Sequence, residues 1–176
     1  MELWDTYDFE RNKLGNVVER GKSMPDGEYR IVVHVCIFNS KNEMLIQHRT
    51  ATKEVWPDYW DVTAGGSAIA GEKSWQAIGR ELKEELGIEI DFNKKIPNMT
   101  FSFNHGFDDV YLVKMDVDIS KLKLQEEEVQ DVKWASKEEI LQMIESGEFI
   151  PYYGSAINLY FDTKCEYSIR STEKGK

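Results

Sequence analysis

One stretch of this chain, residues 66–88, constrains the fold more than any other. Within a predicted helix over residues 73–86, the glutamates Glu81, Glu84 and Glu85 fall inside one turn and cover about 100° of the helix surface. Taken alone, such an acidic face is more often solvated surface than a metal site. However, like charges at this spacing repel one another, so their crowding favours a bound cation. Hard oxygen ligands suit Mg²⁺ or Mn²⁺.

The same helix carries an apolar stripe beside its acidic face. The stripe residues lie within about 80° of one another around the helix axis, and they are Trp75, Ile78, Leu82 and Leu86. Gly87 is the expected C-terminal stop. Gly79 lies on the stripe and costs about 1 kcal/mol of helix propensity relative to alanine. Close approach of a neighbouring strand would explain a glycine here, and loose packing is the alternative. Burial of the stripe would anchor the helix and leave the glutamates at a cleft.

The residues around the glutamates stand in a longer fixed register. Gly66, Glu72, the Arg80–Glu81 and Glu84–Glu85 pairs and the closing Gly87–Ile88 fit the pattern G-x5-E-x7-R-E-U-x-E-E-x-G-U, where U is a bulky aliphatic residue. This pattern resembles the signature of the Nudix hydrolases without a departure. The resemblance implies an α/β (α+β) fold, a Nudix-type α/β/α sandwich with a mixed sheet and a catalytic loop-helix-loop. It also implies hydrolysis of a diphosphate linked to another group.

The resemblance also suggests a role for each polar residue of the motif. The expected metal ligands are Glu81, Glu84 and Glu85. The carbonyl of Gly65 is a weaker candidate ligand. Arg80 is expected to clamp a glutamate, its alternative being a surface salt bridge of little energetic consequence. Glu72 is either a supporting group behind the ligands or an acid at the positive end of the helix. The residues expected to take part in catalysis are Glu84, Glu85, Arg80 and Glu128.

Glu128 and Arg49 are the candidates outside the motif. Glu128 ends an acidic run and stands six residues before Trp134, a spacing at which family members often place a base or a further metal ligand. A solvated acidic loop is the alternative, and Asp108 and Asp109 are the reserves. Arg49 ends a predicted strand, where relatives often bind a substrate phosphate with an arginine. A solvated strand end is the competing interpretation.

Residues 4–134 are also similar to the isopentenyl-diphosphate isomerase branch of the superfamily. The segments that carry this likeness are the N-terminal hairpin, VCIFNSKNEMLIQHR at residues 35–49 and ATK at residues 51–53. Those isomerases use a cysteine just before the motif helix, whereas residues 61–66 here read DVTAGG. Arg30 stands where a metal-binding histidine is expected, and residues 104–108 replace an acidic metal segment. The scaffold is therefore isomerase-like and the site hydrolase-like.

Periodicity and turn signals predict the rest of the fold. We expect a hairpin over 3–18, strands over 30–38, 43–48, 60–63, 96–103, 110–117 and 129–134, a loop over 104–109, and helices over 136–145 and 155–161. The length of 176 residues fits one domain over 1–163, followed by a polar tail over 164–176. His34 is more often a hydrogen-bonded structural histidine than a ligand.

Composition limits the partners and the compartment. A formal net charge of −10 disfavours general nucleic-acid or anionic-membrane binding, but a small diphosphate substrate remains compatible through a bound divalent ion. No apolar run is long enough to span a membrane, and the N-terminus lacks a signal-peptide core. Two distant cysteines, Cys36 and Cys165, indicate free thiols in the cytoplasm, Cys36 being a core residue rather than a nucleophile. The oligomeric state is open, a homodimer included.

These observations predict a Mg²⁺- or Mn²⁺-dependent Nudix-type hydrolase that acts on a small nucleoside-diphosphate-type substrate. Two alternatives remain, an isopentenyl-diphosphate isomerase-like enzyme and a sensor that binds a nucleotide derivative without turnover. The complete glutamate set argues against the sensor, because a protein that only binds has no need to activate water.

Overall fold

The computed structural model describes residues 2–164. The predicted tail therefore lies outside the described residues except for Lys164. Within the described part of the chain, none of the helices combines the length and the apolar character that crossing a lipid bilayer requires.

The elements follow the predicted order, except that the strand predicted over 60–63 covers only residues 60–61 and a further strand over 64–67 was not predicted. The strands are β1 (Leu3–Tyr7), β2 (Lys13–Glu19), β3 (Arg30–Phe38), β4 (Met44–Arg49), β5 (Trp60–Asp61), β6 (Ala64–Ser67), β7 (Met99–Phe103), β8 (Gly106–Lys114) and β9 (Val129–Ala135). The helices are α1 (Ser74–Leu86), α2 (Lys137–Ser146) and α3 (Gly154–Thr163), with one 3-10 turn at Ile119–Lys121. The predicted motif helix is confirmed, and Gly87 ends it in the left-handed conformation.

One mixed sheet forms the centre of the molecule. Its strands run β5-β4-β3-β8-β7, with β6 paired to β3 and β9 paired to β4. The β3–β8 pairing is parallel and the other pairings are antiparallel. The sheet separates two apolar cores, so the predicted mixed sheet with helices on both faces is confirmed.

Strand β3 shows how the sequence assigns residues to the two cores. Val33 and Val35 pack with the buried stripe of α1 on one face, whereas Cys36 and Phe38 pack with residues of α2 and α3 on the other. Side chains of a strand alternate between its faces, so β3 supplies both cores. Burial raises the pKa of the Cys36 thiol, which fits a core residue rather than a nucleophile.

The loop predicted over residues 104–109 is wrong for most of its length. Only Asn104 and His105 form the turn, and β8 already begins at Gly106. Two adjacent aspartates indicated a loop, but each has a side-chain partner from a distant segment of the chain. Asp108 lies 2.7 Å from Nδ1 of His34, and the buried Asp109 accepts two hydrogen bonds from Arg11 at 2.9 and 2.7 Å.

Gly79 does not mark the predicted close approach of a strand. A Cβ atom at this position would lie 3.7 Å from the Phe92 ring, which is an ordinary van der Waals distance. The alternative, loose packing, explains this glycine better.

The N-terminal hairpin, β1 with β2, forms a sheet of its own that packs beside the start of α1. The Leu3 carbonyl accepts from Ala70 N at 2.7 Å, and Asp5 Oδ2 accepts from Gly71 N at 2.6 Å. The hairpin thereby holds the loop that leads from β6 into α1.

Candidate active site

Two adjacent glycines bring the acidic face of α1 against the sheet. A Cβ atom at Gly66 would lie 2.1 Å from Oε1 of Glu81, and one at Gly65 would lie 2.3 Å from Cδ2 of His34. Residues 65 and 66 point to opposite faces of the sheet, so the backbone of β6 is packed between the Glu81 carboxylate and the His34 ring. Larger residues at either position would displace these side chains.

Arg80 connects the glutamates of the motif. Its Nε and Nη2 donate to Glu72 Oε1 and Oε2 at 2.8 and 3.0 Å, which is a bidentate pair. Its Nη1 lies 3.0 Å from Glu81 Oε1 and 2.9 Å from Glu84 Oε2. Glu72 also accepts from Ile69 N at 3.1 Å. Arg80 and Glu72 therefore form a fixed pair behind the three predicted ligands.

Glu85 is the most deeply buried of the three predicted side-chain ligands, with 3% of its surface exposed. Its Oε2 accepts from Gln47 Nε2 at 3.1 Å and, more weakly, from Gly65 N at 3.4 Å. Burial, followed by the nearby charge of Glu81, raises the pKa of Glu85 to about 8. Burial likewise raises the pKa of Glu81 to about 7, although Arg80 acts in the opposite direction. Burial therefore disfavours the charged form of both carboxylates, and a cation bound beside them would offset that cost.

This arrangement fits a divalent cation without being a finished metal cage. Among residues 2–164, no three His, Cys, Asp or Glu side chains are already grouped to hold an ion. Mg²⁺ is commonly bound through one or two carboxylates and the substrate phosphates rather than by a complete protein cage. The oxygen donors of Glu81, Glu84 and Glu85 are of the right type, and Glu81 and Glu84 would turn away from Arg80 to use them.

The structure brings Glu128 into the same area. The loop that carries Glu128 is tied to the end of α1, because Gln125 N donates to the Glu85 carbonyl at 3.0 Å. The charge of Glu128 also raises the pKa of Glu85, whereas Lys53 lowers it. Lys53 itself is ion-paired with Glu128.

Arg49 is held by its own loop. Its Nε and Nη2 donate to the carbonyls of Trp56 and Val55 at 3.2 and 2.9 Å, and its Nη1 lies 3.4 Å from the buried Asp61. The side chain is 14% exposed, so the solvated strand end considered above does not describe it.

The reserve acids are engaged elsewhere. Asp109 pairs with Arg11 and accepts from Thr100 Oγ1 at 2.6 Å. Asp108 pairs with His34, which makes His34 the hydrogen-bonded histidine expected from the sequence.

Sequence reasoning missed two polar residues of the site, Gln47 and Lys53. Gln47 follows three apolar residues of β4 and is 2% exposed, so a polar residue at the end of an apolar run was the available signal. Lys53 gave no local signal, because its contact with Glu128 depends on how two distant loops meet. Neither residue belongs to the motif.

Comparison with known proteins identifies close relatives. A NUDIX domain profile matches residues 28–153. An uncharacterized Nudix hydrolase of Listeria monocytogenes is 46% identical over 164 residues, which cover 93% of this chain and 96% of that protein. The crystal structure of DR0079 from Deinococcus radiodurans superposes with a TM-score of 0.71 at 25% identity, covering 90% of this chain and 97% of that one. An isopentenyl-diphosphate Delta-isomerase of Shigella boydii is 25% identical over 62% of this chain and 63% of that protein.

Proposed function

The chain belongs to the Nudix hydrolase family, whose members act on phosphoanhydride bonds, and on that premise we propose that it is a Mg²⁺- or Mn²⁺-dependent pyrophosphohydrolase. The proposed substrate is a small molecule in which a nucleoside diphosphate or a similar diphosphate is linked to another group. One observation carries the proposal above the others. The buried Glu85 carboxylate takes its hydrogen bonds from the neutral donors Gln47 and Gly65 and lies beside a second, partly buried carboxylate, that of Glu81.

The polar residues of α1 are proposed to have two roles: some bind the ion and others orient the residues that bind it. Glu85, Glu81 and Glu84 are proposed to supply the side-chain ligands, with the Gly65 carbonyl as a further candidate. Arg80, anchored on Glu72, orients Glu84 and offsets part of the local negative charge. When bound, the ion supplies charge neutralisation at the phosphate oxygens and lowers the pKa of a water ligand.

Two residues outside the motif are proposed to complete the reaction. Glu128 lies near Glu85, and it can accept a proton from the attacking water once Lys53 turns away. Arg49 lies at the end of β4, two residues after Gln47, and its guanidinium would have to exchange a loop carbonyl for a substrate phosphate oxygen. The role of Arg49 fits the reaction because phosphoanhydride cleavage places negative charge on the leaving phosphate. The role of Glu128 fits because the attacking water must give up a proton.

The chain lacks, at the expected positions, two groups that the isomerase alternative requires, a reactive cysteine and a metal-binding histidine. The segment before α1 contains Thr63 and Ala64 where a reactive cysteine would be needed. Arg30 lies over the Trp4 ring with its guanidinium carbon 4.2 Å from the ring centroid and donates to Ser67 Oγ at 3.1 Å. A guanidinium has no lone pair to give a metal ion, so Arg30 does not replace a histidine ligand.

The proposal is tested with purified protein, Mg²⁺ and a panel of diphosphate compounds. The panel contains dinucleotides, nucleotide sugars, nucleoside di- and triphosphates and isopentenyl diphosphate. We expect phosphate or nucleoside monophosphate release from at least one compound. Glu84→Gln and Glu85→Gln should each lower turnover at least about 10²-fold while the protein stays folded.

The matched control is Glu145→Gln, an exposed glutamate of α2, which should keep full turnover. Unchanged turnover in both α1 variants would overturn the assignment. Double-bond migration without phosphate release would establish the isomerase instead, and ligand binding without any product would establish the sensor.

A further inference from the structure

Gln47 is fixed between two neighbouring strands of the sheet and faces the site. It lies on β4, which is paired with β5 on one side through Asp61 and with β9 on the other through Val132. Its side chain is on the α1 face, as is that of Leu45 two residues earlier. The 3.1 Å hydrogen bond from its Nε2 to Glu85 Oε2 therefore joins β4 to the last turn of α1.

The partner that Gln47 offers is neutral, and this distinguishes it from the other contacts of the acidic face. Glu72, Glu81 and Glu84 all contact the Arg80 guanidinium. An amide, in contrast, donates a hydrogen bond that orients a carboxylate but adds no positive charge. Glu85 therefore keeps most of its affinity for a cation.

We propose that Gln47 is a positioning residue that fixes the orientation of the Glu85 carboxylate for a divalent ion and leaves its charge uncompensated. The inference rests on the proposed function and assigns a role to a residue outside the motif. Groups that hydrogen-bond a metal ligand from behind orient that ligand, and losing one commonly costs 10- to 100-fold in metal affinity or activity. The side chain at position 47 must also be neutral, because a cation there would compete with the metal ion for the Glu85 carboxylate.

The test is Mn²⁺ binding to the substrate-free protein, followed by the decrease of the free Mn²⁺ signal in electron paramagnetic resonance. Gln47→Met keeps the length of the side chain and removes the donor, and we expect it to raise the Kd for Mn²⁺ about 10-fold or more. Gln47→Lys adds a cation, and we expect it to weaken Mn²⁺ binding further than Gln47→Met does. The matched control, Gln142→Met, makes the same change at an exposed glutamine of α2 and should leave the Kd unchanged.

A catalytic readout separates positioning from a purely structural role. At saturating substrate, Gln47→Met should raise the Mn²⁺ concentration that half-activates the enzyme by the same factor as the Kd, while KM for the substrate at saturating Mn²⁺ changes little. Should Gln47→Met fail to fold, Gln47→Leu removes the same donor with a different shape and is measured in its place.

The outcomes also distinguish this inference from the proposed function. Wild-type protein that binds Mn²⁺ and hydrolyses its substrate, together with a Gln47→Met variant of unchanged Kd, overturns the role of Gln47 alone. Wild-type protein that binds no Mn²⁺ and releases no product from any compound of the panel overturns the proposed function itself. Equal weakening by Gln47→Met and Gln47→Lys contradicts the requirement for a neutral partner.

Discussion

Gly66 shows how a single missing side chain shapes the candidate site. Its Cα hydrogen faces the Glu81 carboxylate, and an added methyl group would overlap Oε1, Cδ and Oε2 of Glu81 at 2.1, 2.4 and 2.9 Å. These atoms are the far end of a flexible side chain, so the backbone need not move. The consequence of a substitution should therefore fall on the position of Glu81 rather than on the fold.

Gly66→Ala should accordingly lower hydrolysis about 10-fold or more, because Glu81 is displaced from the other ligands. The melting temperature should change by only a few degrees, corresponding to about 1 kcal/mol or less. Steady-state kinetics and thermal unfolding measure both quantities. A variant that keeps full turnover would show that the position of Glu81 does not matter for the reaction.

Gly79 is the matched glycine on the same helix. A methyl group there meets Phe92 at an ordinary distance, so Gly79→Ala should gain helix propensity and stabilise the protein by about 0.5–1 kcal/mol. Chemical denaturation measures the gain, and turnover should stay at the wild-type level. A loss of stability would mean that the space beside Phe92 is smaller than the structure indicates.

The motif residues could be predicted from the sequence because their arrangement is local. Helical geometry alone places Glu81, Glu84 and Glu85 on one face, and Arg80 comes within reach of two of them without further information. The partners of Glu85 could not be predicted in this way. Gln47 reaches Glu85 only because β4 lies in one register of the sheet, and that register depends on strands far apart in the chain.

At the level of elements, the parallel pairing of β3 with β8 carries an ion pair between its strands. His34 and Asp108 are each 20% exposed at the side chain. Burial alone would lower the pKa of His34, but the charge and hydrogen bond of Asp108 outweigh it and raise the pKa to about 9. The imidazolium form therefore stabilises the native sheet.

A raised histidine pKa has a defined effect on stability against pH. The stabilisation is fully present below the unfolded-state pKa of about 6.5 and is lost as pH rises toward 9. Between pH 6 and pH 9, wild-type protein should therefore lose up to about 3 kcal/mol more unfolding free energy than His34→Asn. Urea denaturation of the metal-free proteins at both pH values measures the difference.

Asp108→Asn is the control for that experiment, because it removes the other half of the pair and should flatten the pH dependence in the same way. Equal pH dependence in wild type and His34→Asn would contradict a protonated His34 in the native state. Glu81 and Glu85 titrate in the same range, but they are present in all three proteins.

Elements defined by local sequence were also predicted better than elements that depend on distant partners. Helix α1 was predicted to within one residue, because an amphipathic stripe and a terminal glycine define it. Strand β8 was predicted to begin four residues too late, at Val110 instead of Gly106. Its first residues include two aspartates whose partners, His34 and Arg11, come from distant segments, and a charged pair without visible partners indicates a loop.

At the level of the whole molecule, the sheet places two polar groups on opposite sides of one short strand. The glutamates of α1 lie on one face of β6 and the His34–Asp108 pair lies on the other. The N-terminal hairpin holds the loop before α1 through one hydrogen bond to a backbone carbonyl and one to the Asp5 side chain, and the loop that carries Glu128 holds the end of α1 through backbone hydrogen bonds. The acidic helix is thus fixed on three sides, which suits a site whose ligands must keep their geometry.

The central claim is that a divalent ion occupies the space beside Glu85, Glu81 and Glu84. The most direct measurement is an anomalous difference map from a crystal soaked in Mn²⁺ at a concentration that supports hydrolysis. We expect a peak within coordination distance of Glu85 and of Glu81 or Glu84, with Arg80 Nη1 moved away from at least one of them. A map with no peak there, and with Glu81 and Glu84 still paired to Arg80, would contradict the account.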